Sequence, residues 1–491
     1  MKRILLIIGI IIHSQMYAQV VPYNWETEAI YYAGEDVIGG ARSVSLGGGF
    51  GTLGGDFSSA NYNPAGIGMY QFNEFSISPS FHNNTTTSYF NKKNEDQKIG
   101  LGINNFGLVW SGLSKNNKWK RINIAIGWNQ SANYNRSIYI DGYQNQSSLV
   151  NDLIETSNGL SPNELSIFAA PAWDTYLIDT LNSTTYKPNI IPNSNKRTIR
   201  TVQTSGYNGE FNFSLSSSYE DNIYIGATIG IPTINYHRFN THTETEFEAN
   251  PNTIIISQDY SDTVETTINE FTYKDELSVY GYGVNLKLGV IARLNNNIKA
   301  GIALHSPSIY NMRRVFNTEV TTNFQDIDNL TSTYITDPMF EYQMLSPWKT
   351  IISAGGNITK RILLNMDYEL IDYSFSEFMI KNYPEEENNI NQNIKDTYTT
   401  TQNIRFGGEV RFSFISLRAG YAFFGSPYLS ENKDYSKENF TYGLGITTGN
   451  FSLDGAYVLS KSKSEYEIYN SAISPIIETN HNFILTARFK Y

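Results

Sequence analysis

The sequence has no cysteine, few charged residues and, past its N-terminus, no long apolar run. Without cysteine, a disulfide scaffold, a cysteine-based zinc site and a thiol nucleophile are excluded. Charged residues make up 17% of the 491 positions, against about 25% in average soluble domains, so the surface is not an ordinary water-facing one. A helical span needs about 20 consecutive apolar residues, so a helical membrane protein is excluded.

Positive charge is also scarce, because the formal net charge is −11 at pH 7. Nucleic acid is therefore not expected as a partner. Aromatic residues are abundant at 14%, with 35 Tyr and 27 Phe.

The N-terminus has the pattern of an export signal. Lys2 and Arg3 precede an apolar stretch at 4–12, and Ala18 supplies a small residue before Gln19. This pattern predicts a secretory signal peptide over residues 1–18. An uncleaved anchor or a buried core segment is the alternative. No cysteine follows the apolar stretch, so we do not expect a bacterial lipoprotein.

Most of the remaining chain alternates between apolar and polar residues. The alternation is regular in 122–129, 222–231, 282–290 and 362–370. In 222–231 one face carries Ile223, Ile225, Ala227, Ile229 and Ile231. Period two predicts strands with one apolar and one polar face.

Two architectures fit this alternation, a soluble sandwich with the apolar face inward and an outer-membrane barrel with that face toward lipid. The polar faces carry glycine and charge, aromatic residues cluster at 421–428, and the chain ends in the aromatic-rich strand 481–491. We therefore expect an all-β protein, a transmembrane antiparallel barrel of about 14 strands. The predicted strands are 74–90, 100–112, 119–140, 197–219, 222–248, 265–294, 297–324, 336–359, 361–379, 399–413, 415–426, 440–449, 451–470 and 479–491.

The connections alternate between tight turns and long polar loops, which is the asymmetry expected of periplasmic turns and outer loops. The longest loop is 141–196. Within it, 147–156 has a helical pattern, and Ser161, Pro162 and Glu164 resemble a capped helix start. A disordered surface loop is the alternative.

Residues 19–73 differ in composition from the predicted barrel at 74–491, because they are rich in glycine. Gly49, Gly51 and Gly54 match G-x-G-x-x-G, but no βαβ unit surrounds them, so a dinucleotide site is not expected. Small residues permit close backbone packing in a confined space. The segment is therefore predicted to be a plug, or hatch, in the barrel lumen.

The same segment carries a family resemblance. Gly40-Ala41-Arg42-Ser43, Leu46-Gly47-Gly48, Asp56 and Asn63-Pro64-Ala65-Gly66 resemble the outer-membrane transporters of long-chain fatty acids and aromatic hydrocarbons (the FadL/TodX type). The resemblance implies a barrel plugged by a hatch that contains the Asn-Pro-Ala motif. It implies hydrophobic substrates that bind at the outer loops, enter a lumen pocket and leave sideways where a strand kinks. The gating residues it implies are Asn63, Pro64, Ala65, Gly66, Gly47, Gly48 and Asp56.

Two features of this family reading leave alternatives open. Asn63-Pro64 could be a structural turn without ligand contact, because Pro64 restricts its own φ and the shape of Asn63. Residues 129–133, where the apolar alternation of the third strand stops after Trp128, could be the wall kink or the point where that strand leaves the membrane. Residues 19–39 precede the matched block and have no family role.

Basic residues on the lumen face by parity are Lys287, Arg293, Lys299, Arg405, Arg411 and Arg418. Of these, Arg405, Arg411 and Lys287 are candidates for holding a ligand. The alternative is that they form internal ion pairs with Asp367, Glu369 and Glu409. No catalytic residue, metal site or cofactor is expected, because nucleophile and phosphate-loop motifs are missing and His237 and His242 fall on opposite strand faces.

The sequence thus predicts an outer-membrane channel, not an enzyme, for passive uptake of long-chain fatty acids or aromatic hydrocarbons. Its partners would be this ligand, the bilayer and lipopolysaccharide, and it would be a monomer unless in a complex. The alternative is a non-transporting subunit of an outer-membrane secretion or assembly complex, as in Bacteroidetes, which docks proteins through its loops. A transporter should have an apolar pocket beneath the loops, whereas a docking barrel could be filled.

Overall fold

The computed structural model describes residues 25–491 except 35, 38, 115–117, 249–253, 259–261, 336–339, 431–434 and 470–471. The predicted signal peptide, residues 1–18, lies outside the described residues. Within the described part, no helix has the length and apolarity needed to cross a bilayer.

One antiparallel sheet closes on itself, because its first strand pairs with the second on one side and with the last on the other. The result is the predicted 14-stranded barrel. Strands β3, β7, β8 and β9 each consist of two segments. The bounds are β1 Glu74–Phe90, β2 Lys92–Leu113, β3 Trp119–Asn133 and Arg136–Gln144, β4 Lys196–Tyr219, β5 Ile223–Thr245, β6 Ile268–Arg293, β7 Ile298–His305 and Ile309–Phe324, β8 Phe340–Leu345 and Lys349–Asn357, β9 Ile362–Asp372 and Glu377–Met379, β10 Thr400–Phe412, β11 Ile415–Phe424, β12 Lys437–Thr448, β13 Phe451–Tyr469 and β14 Ala472–Lys490.

The apolar faces of these strands point outward. Ile229 is 53% exposed, Leu286 43% and Leu485 50%, while their polar neighbours on the same strands, such as Thr228 and Asn285, are buried. An apolar belt outside and a polar face inside is the arrangement of a barrel in lipid. The soluble sandwich, which would bury the apolar face, is therefore wrong, and the chain is an outer-membrane barrel.

Two strands are longer than the alternation predicts. β2 begins at Lys92 instead of residue 100, and β14 begins at Ala472 instead of residue 479. The added part of β2, 92–99, is mostly polar yet pairs with the end of β1, and Asn91 turns the chain between them with a φ of +59°. Because the added part of β2 lacks an apolar face, the hydrophobic pattern could not reveal it.

One part of the predicted aromatic cluster faces inward. Phe424 is buried, and the guanidinium of Arg405 lies 5.4 Å from its ring centroid. Tyr428 packs edge-on against Tyr398, at 5.1 Å between ring centroids. Phe424 faces inward because it has the parity opposite to Tyr421 on β11, and Tyr428 lies beyond the end of that strand, on the loop side.

The helices that precede β1 lie inside the barrel ring. They are α1 (Trp25–Ala33), α2 (Ala41–Val44), α3 (Ser59–Tyr62) and a 3-10 turn at Pro64–Met69. We call residues 39–69 the inner segment. Nearly all of its residues are buried, although it belongs to no sheet, because the inward faces of the strands surround it.

The long loop after β3 folds into a small module over 145–195. It contains α4 (Leu149–Ser157), capped by Ser148, a 3-10 turn at Pro162–Glu164, α5 (Ala170–Asp174), and a hairpin of Ile178–Asn182 with Thr185–Pro188. The predicted helix and capping box are confirmed, and the disordered alternative is wrong. Ser161 donates from its hydroxyl and its N–H to Glu164, and these hydrogen bonds lower the pKa of that carboxyl.

Further elements on the loop side are α6 (Pro384–Thr397), a 3-10 turn at Tyr373–Phe375, a strand at Leu330–Ile335 paired with β7, and a hairpin of Ile254–Gln258 with Asp262–Thr266. The tight turns predicted at 220–221, 295–296, 359–360 and 449–450 are all at the opposite end of the barrel.

Candidate functional site

The inner segment forms hydrogen bonds with wall strands on different sides of the barrel. The N–H of Ala41 donates to the Thr486 hydroxyl at 2.7 Å on β14. The N–H groups of Phe50 and Gly51 donate to the Asp367 carboxylate on β9 at 2.8 and 2.9 Å. These contacts cross the lumen, so the segment obstructs it.

Wall glycines provide the space for this docking. A Cβ built on Gly289 would lie 2.0 Å from Oδ1 of Asn63, and one on Gly226 would lie 2.4 Å from the carbonyl of Pro64. On the other side, a Cβ on Gly420 would lie 2.3 Å from the N of Gly47. Because real side chains do not approach so closely, the glycines on the polar strand faces mark where the inner segment rests.

The Asn63-Pro64-Ala65 motif forms a buried turn that is attached to β6 and β7. Asn63 is 1% exposed, and its Oδ1 accepts from the N–H of Ala65 at 3.1 Å. Its Nδ2 donates to the carbonyls of Val290 and Ile302 at 3.3 and 3.4 Å. Pro64 begins the 3-10 turn that contains Ala65 and Gly66. The motif is thus a structural turn and a wall anchor at once.

The other predicted gating residues have positional roles. Gly47 and Gly48 have φ values of +68° and +72°, a region that glycine occupies without strain. Asp56 accepts from the N–H and hydroxyl of Ser58 at 3.0 and 2.7 Å and lies 3.9 Å from Arg488. These residues shape the inner segment.

The candidate ligand-binding bases are paired with carboxylates inside the wall. Arg405 contacts Glu369 at 2.8 Å, and Arg411 contacts Glu409 at 2.5 Å. Lys287 forms an ion pair with Glu210. The local sequence pattern did not indicate this partner, because Glu210 lies on β4 and Lys287 on β6.

Arg418 bridges Glu409 and Asp454 at 2.5 and 2.7 Å. Asp367, one of the predicted partners, instead accepts a hydrogen bond from the backbone N–H of Phe50 in the inner segment. Ion pairing is therefore what the geometry shows for these bases.

The remaining two predicted bases and the lumen histidine contact neutral groups. Arg293 donates to the Tyr224 hydroxyl at 3.3 Å, and Nζ of Lys299 lies 3.5 Å from the Thr52 carbonyl. His305 lies 3.3 Å from the carbonyl of Tyr62, through its Nε2. In the described ranges, no three His, Asp or Glu side chains are grouped as metal ligands would be.

Above the inner segment, α1 occupies the lumen. Glu28 is buried, forms an ion pair with Arg314 and accepts from the Tyr342 hydroxyl at 3.1 Å. Tyr31 stacks on Tyr134 with ring centroids 4.8 Å apart. This helix belongs to the stretch 19–39, for which the sequence offered no role.

On the loop side, Ile390 and Ile394 of α6 belong to the apolar cluster in which α1 is packed, and α6 contacts α1. The lumen beneath the loops is therefore apolar, but protein side chains fill it.

The wall has a gap between β2 and β3. Residues 105–113 of β2 pair with β3, whereas in the described sheet residues 92–104 have backbone partners on β1 alone. β3 shifts register between Gln130 and Ala132 and is interrupted at 134–135, and its second segment pairs with β4. The register shift falls within 129–133, where the apolar alternation of this strand stops.

Side chains bound the gap on its loop side. Lys92 contacts Asp141 at 2.6 Å, and Ser137 donates to Asp96 at 2.5 Å. The gap in backbone pairing is thus a window next to residues 98–104 and 130–135, spanned by the hydrogen bond from Nζ of Lys98 to the carbonyl of Thr204 at 2.8 Å, and not a split along the full height of the barrel.

A cavity of about 320 Å³ lies directly behind this window. Its lining includes the kinked stretch 130–136, Ile30 and Tyr31 of α1, and inward positions of β1 and β14 such as Asn84 and Asn482. Hence the window, the cavity and α1 are contiguous.

Comparison with known proteins places the fold. No protein-family model matches the chain, and no curated protein matches its sequence. Among solved structures, a FadL homologue of Pseudomonas aeruginosa matches with a TM-score of 0.51 at 11% identity over 93% of this chain and 98% of its own. The toluene transporter TodX of Pseudomonas putida matches with 0.50 at 11% over 94% and 99%. The monoaromatic hydrocarbon channel CymD matches with 0.50 at 10% over 94% and 98%.

The chain therefore has the barrel fold shared by these channels and transporters. The resemblance seen in the glycine-rich segment is confirmed at the level of the fold, over nearly the whole chain. At this identity the match concerns architecture, so substrate and mechanism have to be argued from this chain's own residues.

Proposed function

We propose that the protein is an outer-membrane channel for passive uptake of small hydrophobic molecules, exported by a signal peptide at 1–18. The observation that carries this proposal is the window between β2 and β3 with a cavity behind it. A solute with apolar surface gains nothing by entering a water-filled pore. A side exit delivers it to the bilayer without full exposure to water.

The inner segment is the gate in this proposal, within a hatch spanning residues 19–73. Its contacts with β6, β7, β9 and β14 support this role, because they hold the segment across the lumen below the cavity. Asn63, Pro64, Ala65, Gly66, Gly47, Gly48 and Asp56 are its gating residues. Ligand contact by Arg405, Arg411 and Lys287 stays a prediction, and their carboxylate partners favour a bracing role.

A cysteine lock across the window tests the proposal. A Cβ on Gly100 would lie 3.2 Å from Nδ2 and 3.7 Å from Cγ of Asn135, so cysteines at these two positions would face each other across the window. The native chain has no cysteine, so Gly100→Cys/Asn135→Cys introduces the sole pair. In vesicles that contain the protein and carry lipopolysaccharide in the outer leaflet, which slows direct entry of apolar solutes, oxidation should abolish protein-dependent entry of toluene and p-cresol, and reduction should restore it.

Each single cysteine variant under the same oxidant is the matched control and should retain entry. If the oxidised lock admits toluene as fast as the reduced form, the window is not the route. If the unmodified protein gives no entry of either solute above protein-free vesicles of the same composition, the channel proposal fails.

A second candidate function, protein docking, is favoured by the filling of the lumen. α1 and α6 occupy the apolar space beneath the loops, and the module at 145–195 is a folded surface that rests on β6 and β7. Native mass spectrometry of the protein extracted from its own membrane separates the two candidates. A small-molecule adduct supports the channel, and a stoichiometric protein partner without an adduct supports docking.

A further inference from the structure

The cavity behind the window has two chemically different faces. Ile30 and Tyr31 of α1, with Val37, form an apolar face. The other face carries amide and imidazole groups: His82, Asn84, Asn104, Gln130, Asn480 and Asn482. Its volume of about 320 Å³ is at the lower end of ligand pockets, which run from roughly 300 to 1,000 Å³.

The charged groups at this cavity are paired with one another. Asp36 contacts Lys437 at 3.0 Å and accepts from Asn439 at 3.1 Å. Arg136 contacts Glu478 at 3.3 Å. A charged ligand would have to break one of these pairs or enter without a counter-charge, and both are costly away from water.

A pure hydrocarbon fits the cavity equally badly. It would cover Oδ1 of Asn482, which is buried without a hydrogen-bond partner among the described residues, without offering it a donor, and polar groups that lose water without a new hydrogen bond are destabilised. The same amides continue to the exit. A Cβ on Gly102 would lie 3.6 Å from Oε1 of Gln130, so that amide borders the window.

We propose that the cavity binds an uncharged amphiphile, with a hydroxyl or amide group on the asparagine-lined face and an apolar body against α1. This inference rests on the proposed channel function, because it names the substrate class for the same route. It departs from a plain hydrocarbon substrate, since the cavity offers hydrogen bonds that a hydrocarbon leaves unused.

Matched probes test this inference. Toluene and p-cresol share an apolar ring and differ by a hydroxyl, which stays protonated at pH 7 as in tyrosine, while p-toluate adds a negative charge. Isothermal titration of the full chain in detergent should give p-cresol a Kd at least tenfold lower than that of toluene and of p-toluate. Equal or tighter binding of toluene or p-toluate would overturn the inference, as would binding of none of the three.

Near-isosteric variants localise the preference. Gln130→Leu and Asn482→Leu, made singly, should each reduce the p-cresol preference over toluene at least threefold. Gln97→Leu, at an exposed position on β2 outside the cavity, is the matched control and should leave the preference unchanged. A preference that survives both cavity variants would place the binding elsewhere and refute the assignment.

Liposome entry separates this inference from the channel function. If p-cresol binds with the expected preference but enters no faster than through the oxidised window lock, the cavity assignment stands and the channel fails. If toluene and p-cresol enter equally and the two leucine variants change neither rate, the channel stands and the cavity assignment fails.

Discussion

Removal of the Asn63 side chain should loosen the inner segment from the wall. Asn63→Ala deletes the cap on the Ala65 N–H, which in helix caps contributes about 1 kcal/mol. It also deletes two contacts to the carbonyls of Val290 and Ile302, at 3.3 and 3.4 Å. Because these exceed the optimal length, each contributes about 0.5 kcal/mol, at the low end of buried hydrogen bonds.

The expected loss is thus about 2 kcal/mol, which corresponds to roughly a 30-fold rise in the ratio of undocked to docked inner segment. If undocking opens the lumen, the open probability of single channels in planar bilayers should rise by that factor while it remains small. Asn63→Asp keeps the acceptor that caps Ala65 but loses the donor to the wall, so it should open the channel as well.

Asn296→Ala, in an exposed turn at the same end of the barrel, is the matched control and should not alter the open probability. Folding of each variant is checked by the mobility difference between heated and unheated samples in gel electrophoresis. A folded Asn63→Ala barrel with unchanged open probability would refute the gating role of the turn.

Three further outcomes follow from the interior contacts. Gly289→Ala places a methyl group 2.0 Å from Oδ1 of Asn63, so it should raise the open probability at least as much as Asn63→Ala, and an unchanged channel would contradict the docking geometry. Glu28→Gln leaves Arg314 buried without its counter-charge, so thermal unfolding should show a loss of about 3–5 kcal/mol; a loss below that of an exposed Glu→Gln change would contradict it. Deletion of 40–68 should leave an inserted but leaky barrel, and normal conductance together with normal uptake would show that this segment is no hatch.

The sequence by itself determined the barrel. Strand alternation depends on neighbours along the chain. Ile229 is assigned to the apolar face because alternate residues of a strand point to the same side and its alternate neighbours are apolar. The low charge and the polar opposite face then indicated that the apolar face meets lipid. The first strand, 74–90, was predicted with the bounds that the structure shows, because its residues and the turn before it carry local signals.

The interior was decided by tertiary structure. The partner of Lys287 is Glu210 on a different strand, and which carboxylate meets which base depends on barrel register, which local pattern does not encode. The occupation of the lumen by α1 likewise depends on a contact between Glu28 and Arg314, 286 positions apart along the chain.

The site shows the same division. The stop in alternation after Trp128 indicated a kink, but a window exists only because β2 continues to Lys92 without pairing to β3. Strand pairing depends on two segments that are distant along the chain, so the sequence of one segment does not determine its partner. The wall glycines are similar, since Gly289 reads as a small residue on a polar face until Asn63 is found against it.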